Sequence, residues 1–284
     1  MKKLLFLLSG IVFLLSSCSG SDDDSQGNLI TSMKYVGEDF VTDFRNHIFT
    51  FEYTEGDKIV RIADGQGAKT EFTYAGDLIT QIDIWRYLND DPYFFRRVFL
   101  QYDNEKLISI KVDEDVDGSL DTVIEFTYTD LNSANYTYRY YPYMNPEGVE
   151  SVGTIIFDEN DVLKKTHSSY DESGENVVYQ TEISFTYDDK RHPYSTIRGF
   201  NDIKLFNVFF GSIFSFGFSG NDGDGFAPNL GTTHNVASVL IKEGQNLQYE
   251  STYIPFSYEY GSNGFPKKCS KIINGKDLHI ECSY

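Results

Sequence analysis

One motif recurs along the chain and narrows what it can fold into. It runs aromatic-x-Tyr, then a short turn rich in Asp, Asn and Gly, then an aliphatic pair with another aliphatic residue close behind. Clear copies are Phe51-Glu52-Tyr53 before Ile59, Val60 and Ile62; Phe72-Thr73-Tyr74 before Leu78, Ile79 and Ile82; and Leu100-Gln101-Tyr102 before Leu107, Ile108 and Ile110. The turns between are five, three and four residues long, which are hairpin-loop lengths. Degenerate copies follow at Phe126-Thr127-Tyr128, Ile155-Ile156-Phe157, Phe185-Thr186-Tyr187 and Phe256-Ser257-Tyr258.

Aromatic and β-branched residues suit a pleated, half-buried surface, and period-two alternation puts Phe72 and Tyr74 on one face with Thr73 on the other. Successive hairpins make an antiparallel meander, and no segment sustains a long helical period. The expectation is a single all-β domain over residues 29–284: a large twisted antiparallel meander curling toward a half-barrel or barrel, or folding over into a sandwich. A flat sheet of that size is unfavourable. An insert near 200–232 interrupts the meander. Between Asp202 and Phe214, the residues Phe206, Phe209, Phe210, Ile213 and Phe214 fall at helical spacing with Asp202 available as a cap, and Phe214, Phe216 and Phe218 then alternate like a strand. A short helix plugging an open side of the sheet is the main expectation. A lid for a ligand or partner is one alternative, and a dip into a bilayer is another, although the run is too short to span one.

With 43 acidic against 24 basic residues the formal charge is −19. Such a chain repels phosphate backbones, and no Lys/Arg cluster reverses the sign locally, so nucleic acid is excluded as a partner and adhesion to an anionic membrane surface is disfavoured. The 40% of hydrophobic residues is enough for a real core. At the start, Lys2 and Lys3 precede Leu4 to Leu15, a twelve-residue run in which only Ser9 and Gly10 are not apolar. That is the length of a signal-peptide core and too short for a membrane span, so residues 1–17 read as a signal peptide. Residues 18–28, with Asp22, Asp23 and Asp24, have nothing to bury and read as a flexible acidic tether.

The ending Leu15-Ser16-Ser17-Cys18 resembles the bacterial lipobox. The resemblance implies cleavage before Cys18, diacylglycerol on its sulfur and an acyl chain such as palmitate on the new amino terminus, which together anchor a protein stably. The acidic stretch behind Cys18 is similar to the export signal that carries lipoproteins of the Bacteroidota to the cell surface. That likeness implies an outer-membrane lipoprotein facing the exterior; a solvated spacer on a periplasm-facing lipoprotein is the alternative. The hairpin repeat resembles the tyrosine-and-aspartate repeats of bacterial surface and toxin-shell proteins. Phe185-Thr186-Tyr187-Asp188-Asp189-Lys190 with His192-Pro193, the aromatic insert and Asn235-Val236 resemble uncharacterised Bacteroidota lipoproteins over most of the mature chain, a likeness that implies no chemistry.

Three candidate sites follow from residue patterns. Asp113, Asp115, Asp117 and Asp121 occupy positions 1, 3, 5 and 9 of a calcium-type loop with Gly118 at position 6, which makes calcium the one cofactor to consider. The closing carboxylate is missing, because position 12 is Ile124, and Asp117-Gly118 reads equally as a hairpin turn. Trp85 and Tyr87 share a face with Asp83, and Tyr136, Tyr138 and Tyr140 line one face of a strand, as sugar-stacking rows would; core packing explains the same residues. Cys269 and Cys282 are the cysteines left once Cys18 is acylated and flank a hairpin turn, so a disulfide between them is expected in an oxidising compartment. A Gly275-Lys276 turn puts them directly opposite each other; an Asn274-Gly275 turn leaves them diagonal.

No nucleophile, zinc or nucleotide motif occurs, the five histidines are scattered, and no residue is assigned a catalytic role. The functional expectation is a cell-surface lipoprotein whose β-rich body is a binding or envelope-structural module, with a glycan or an envelope protein as partner. The alternative is a surface glycan-acting enzyme, which a pair of buried carboxylates in one cleft would favour.

Overall fold

A computed structural model describes residues 29–36, 48–54, 56–64, 67–88, 91–141, 149–170, 177–210, 233–245, 248–273 and 276–284. The signal peptide, Cys18, the acidic tether and residues 211–232 of the insert lie outside these.

The hairpin repeat folds as its spacing predicts, into strands joined by tight turns. In order they are β1 (Ser32–Val36), β2 (Ile48–Tyr53), β3 (Ile59–Ala63), β4 (Lys69–Ala75), β5 (Leu78–Leu88), β6 (Asp91–Asp103), β7 (Lys106–Asp113), β8 (Thr122–Tyr128) and β9 (Ser133–Tyr140). They continue as β10 (Val149–Phe157), β11 (Val162–Tyr170), β12 (Val177–Arg191), β13 (His234–Gln245), β14 (Gln248–Pro255), β15 (Ser257–Tyr260), β16 (Pro266–Ile273) and β17 (Lys276–Ser283). One helix, α1 (Lys204–Phe210), follows a 3-10 turn at Asn201–Ile203. Every ladder is antiparallel and joins sequence neighbours except β1–β17, and β1 pairs on both sides, Met33 facing Phe49 of β2 and Cys282 of β17. The sheet therefore closes into a barrel, the first of the expected shapes to be distinguished from a half-barrel or a sandwich. β14 and β15 are two halves of one strand, broken at Phe256, whose N–H donates to Ala237 O. β14 pairs with β13 and β15 with β16, which leaves a split in the wall between β14 and β16. Counting the halves together gives an even number of strands, as alternating antiparallel closure requires.

The repeat tyrosine has a definite task. Pairing slips by one residue immediately before Tyr53, Tyr74, Tyr102 and Tyr187, a β-bulge in each case. The ring turns inward and its hydroxyl donates to a carbonyl of the preceding hairpin: Tyr102 to Ile79 O at 2.8 Å, Tyr128 to Leu107 O at 3.0 Å, Tyr258 to Val236 O at 2.8 Å. The acceptor is an aliphatic residue among the first three of that hairpin's return strand. These copies are thus tied to the ones before them, carbonyl and hydroxyl satisfying one another, whereas Tyr74 donates to Arg198 O of the segment that fills the lumen.

Inside, the barrel is filled. The segment from His192 crosses one mouth and then turns up into the lumen as α1. Tyr194, Phe200, Ile203, Leu205 and Phe206 are all buried against Met33, Phe51, Phe72, Ile79 and Ile110 of the wall. Tyr194 Oη donates to Met33 Sδ at 2.8 Å, and the rings of Phe72 and Phe200 sit 5.9 Å apart. Lys204 Nζ donates to Asp158 O and Glu159 O in a hairpin turn at the same mouth. Gly199, with φ +84°, lies where an added Cβ would come within 2.7 Å of Asp77 O, so this close approach requires glycine. The expected plugging helix is found, but Asp202 does not cap it: the 3-10 turn begins after Phe200, with no side-chain cap.

The outer face is largely polar, with Ile48, Ile156, Leu163 and Tyr253 exposed singly among the charges. Glu52 pairs with Arg61 at 2.6 Å, Asp83 with Arg97 at 2.8 Å, Glu125 and Glu150 with Arg139 at 2.8 and 2.7 Å, and Glu182 with Lys164 at 2.5 Å. Among the described residues no helix is long and apolar enough to cross a membrane.

Candidate functional site

Two places on this scaffold gather polar chemistry. The first lies in the lumen, around the C-terminal end of α1. Strand alternation turns Lys165 inward opposite Ile155 and Ile183. Its Nζ donates to Val208 O at 3.2 Å and sits 3.9 Å from the centre of the Phe209 ring. Burial pushes its ammonium down to about 7. His167, two residues on, meets Tyr136 Oη at 3.0 Å; burial first and the Lys165 charge second push it down to about 4, so it is neutral near pH 7. Tyr136 Oη also donates to Thr166 O at 2.7 Å, crossing over Gly153, where a Cβ would overlap both groups. Farther round, Arg86 and Arg96 lie beside the Phe95 ring, their Cζ atoms 3.6 and 5.0 Å from its centre, and Arg96 pairs with Glu114 at 2.7 Å. Burial, then the neighbouring Arg96, lowers Arg86 to about 10.

The second place is a groove of about 930 Å³ on the outer wall, over β6 to β11. Period-two alternation builds it: Thr127 stands between the inward Phe126 and Tyr128, and Asn135 and Thr137 alternate with the inward Ala134, Tyr136 and Tyr138. Ser109 lines it and is 6% exposed. A smaller groove of about 310 Å³ shares Thr166 and Ser168 with it and continues to Gln180, Glu182 and Lys242.

The residues singled out in the sequence fall elsewhere. Tyr136 is 2% exposed and packs edge-on to Phe209 at 4.7 Å, and Tyr138 stacks on Phe209 at 6.4 Å, so these two face the lumen instead of an external sugar, while Tyr140, at the strand end of the same row, is exposed. Trp85 does lie on the outer face, stacked on Phe94 at 4.6 Å beneath Lys69 Nζ at 4.6 Å; the Tyr87 side chain is outside the described residues. The four aspartates of the calcium-type loop do not converge. Asp113 Oδ2 accepts from Gly118 N, Asp121 Oδ2 from Glu114 N, and Asp117 Oδ1 from Ser119 N, which spends them on the turn. Among the described residues no three His, Cys, Asp or Glu side chains are placed to hold a metal. Cys269 and Cys282 are free thiols, both facing the lumen. Ile273 pairs with Lys276 and Cys269 faces Ile280, two positions from direct opposition to Cys282, which is the diagonal register. Two buried carboxylates stand out, Asp113 and Asp161, at opposite ends of the wall; Asp161 accepts from Thr233 N, His234 N and His234 Nδ1.

The groove residues were passed over because Thr, Ser and Asn between aromatics read only as the solvent side of a strand. The usable signal was that the same polar types recur at that position on successive strands.

No family profile and no curated protein matches the chain. Among solved structures, a porin-like protein from Bacteroides vulgatus superposes with a TM-score of 0.54, at 15% identity, over 90% of this chain and 98% of its own. A porin-like protein from Bacteroides uniformis aligns over 90% of this chain and 97% of its own at 11% identity, with a TM-score of 0.33. The chain thus shares its overall fold with the Bacteroides vulgatus protein.

Proposed function

We propose that the protein is a lipid-anchored module of the bacterial outer membrane whose barrel stands outside the bilayer, faces the exterior and binds on its outer wall. One observation carries this reading: the polarity of the wall. A membrane-spanning barrel presents an apolar band to lipid and keeps its lumen polar, and a charge on its lipid face costs about 2–4 kcal/mol at mid-depth. Here the buried apolar side chains point inward onto a filled lumen, and ion pairs such as Glu52–Arg61 and Glu125–Arg139 stand outside among isolated exposed apolar residues such as Ile48, Ile156 and Tyr253, which form no lipid-facing band. The porin-like description of the structural neighbours suits an outer-membrane address, and the lipobox-like Cys18 supplies an attachment that needs no spanning wall. Cys18→Ala should abolish palmitate labelling in cells, and persistent labelling would defeat the anchor. Replacing Asp22, Asp23 and Asp24 together with Ala should hide the barrel from external protease, and unchanged accessibility would reduce the tether to a spacer.

A further inference from the structure

We propose that the outer groove binds a linear, neutral polysaccharide lying across the strands; this rests on reading the outer wall as the binding face. Direction comes from the register. Gln101, Ser109, Glu125, Thr137, Val152 and Ser168 form one row, each opposite the next across β6 to β11. Strands stand about 4.8 Å apart, so this row runs roughly 24 Å and offers one side chain per step. The smaller groove extends the line onto β12 at Gln180, opposite Ser168, with Glu182 and Lys242 facing each other two positions to one side. A trough with a regular step, crossing strands at right angles, suits a polymer with a regular repeat better than a compact ligand.

The class of polymer follows from the lining. The flanking row Thr127, Asn135, Thr154 and Thr166 supplies hydroxyls and an amide, groups that both donate and accept, as a polyhydroxylated chain does. The lining charges are balanced: Lys111 and Glu125 in the larger groove, Glu182 and Lys242 in the smaller, the last two paired at 3.3 Å. The net charge of −19 opposes a polyanion. A peptide adding as a strand needs a free sheet edge, and the groove lies on a fully paired wall. The floor is rigid, because Tyr136 braces it from the lumen side through its bond to Thr166 O.

The test is native affinity electrophoresis of the purified mature protein through gels containing mixed-linkage β-glucan, xyloglucan, α-mannan or starch, with polygalacturonate as the anionic comparison. At least one neutral polymer should retard the protein. The double variant Asn135→Ala, Thr137→Ala should weaken that retardation at least tenfold, and Thr137→Tyr, a strand-compatible residue that fills the groove, should remove it. Lys34→Ala, elsewhere on the wall, should leave it intact. Circular dichroism checks that each variant is folded, and either groove variant suffices if the other is not. Retardation by none of the neutral polymers, by polygalacturonate alone, or equally in a folded groove variant would overturn the assignment. Such a failure would leave the anchored-barrel reading standing, because that reading is tested separately by release from the membrane.

Discussion

Tyr102 shows what one residue of the repeat contributes. Its hydroxyl reaches Ile79 O across a bulge, and burial raises its pKa, so it stays a neutral donor. Tyr102→Phe leaves that carbonyl unpaired and should cost about 1–3 kcal/mol in urea unfolding. Glu105 sits in a two-residue hairpin loop with φ +66°, beside Asn104 at +47°. Glu105→Gly should add roughly 1 kcal/mol by removing a left-handed penalty on a residue with a side chain. Lys165 makes stability depend on pH. With its folded value at about 7 and an unfolded value near ~10.4, the unfolded chain binds the extra proton between those limits, so stability rises with pH through that window. Lys165→Met should therefore stabilise most at pH 6 and progressively less toward pH 10, by thermal unfolding. Burial pushes the Cys282 thiol up to about 12, so it should not react in the native state. Thiol titration after denaturation, without reductant, should find both Cys269 and Cys282; finding neither would mean that the bridge forms after all.

At the scale of elements, the hairpins were legible because aromatic-x-Tyr, a turn and an aliphatic pair encode a local structure. The helix was legible too, since Phe206, Phe209 and Phe210 keep helical spacing. Which face of a strand would be core was harder to read. Tyr136, Tyr138 and Tyr140 do share a face, but that it is the lumen follows from Tyr136 opposing Phe126 and Tyr138 opposing Ile124, a pairing between strands that spacing alone does not reveal. The lumen-filling segment should be the most sensitive element. Phe206→Ala should cost about 3–5 kcal/mol. Gly199→Ala should destabilise more than an ordinary Gly→Ala change, because the new Cβ is pressed on Asp77 O at a positive φ.

For the whole molecule, closure is the feature least visible in the sequence. β1 and β17 lie at opposite ends of the domain, and their pairing, Met33 with Cys282, carries no local signature. Closure pairs the two end strands of the meander, leaving the split between β14 and β16, and with the segment from His192 to Phe210 inside gives a filled barrel with a charged exterior. The central claim is that this barrel is attached only through its lipidated terminus. A specific protease site placed in the tether, between residues 20 and 28, allows isolated outer membranes to be cleaved without detergent. The account predicts that the barrel appears in the aqueous supernatant, folded and β-rich by circular dichroism; a barrel that stays in the membrane after complete cleavage, until detergent extracts it, would contradict it.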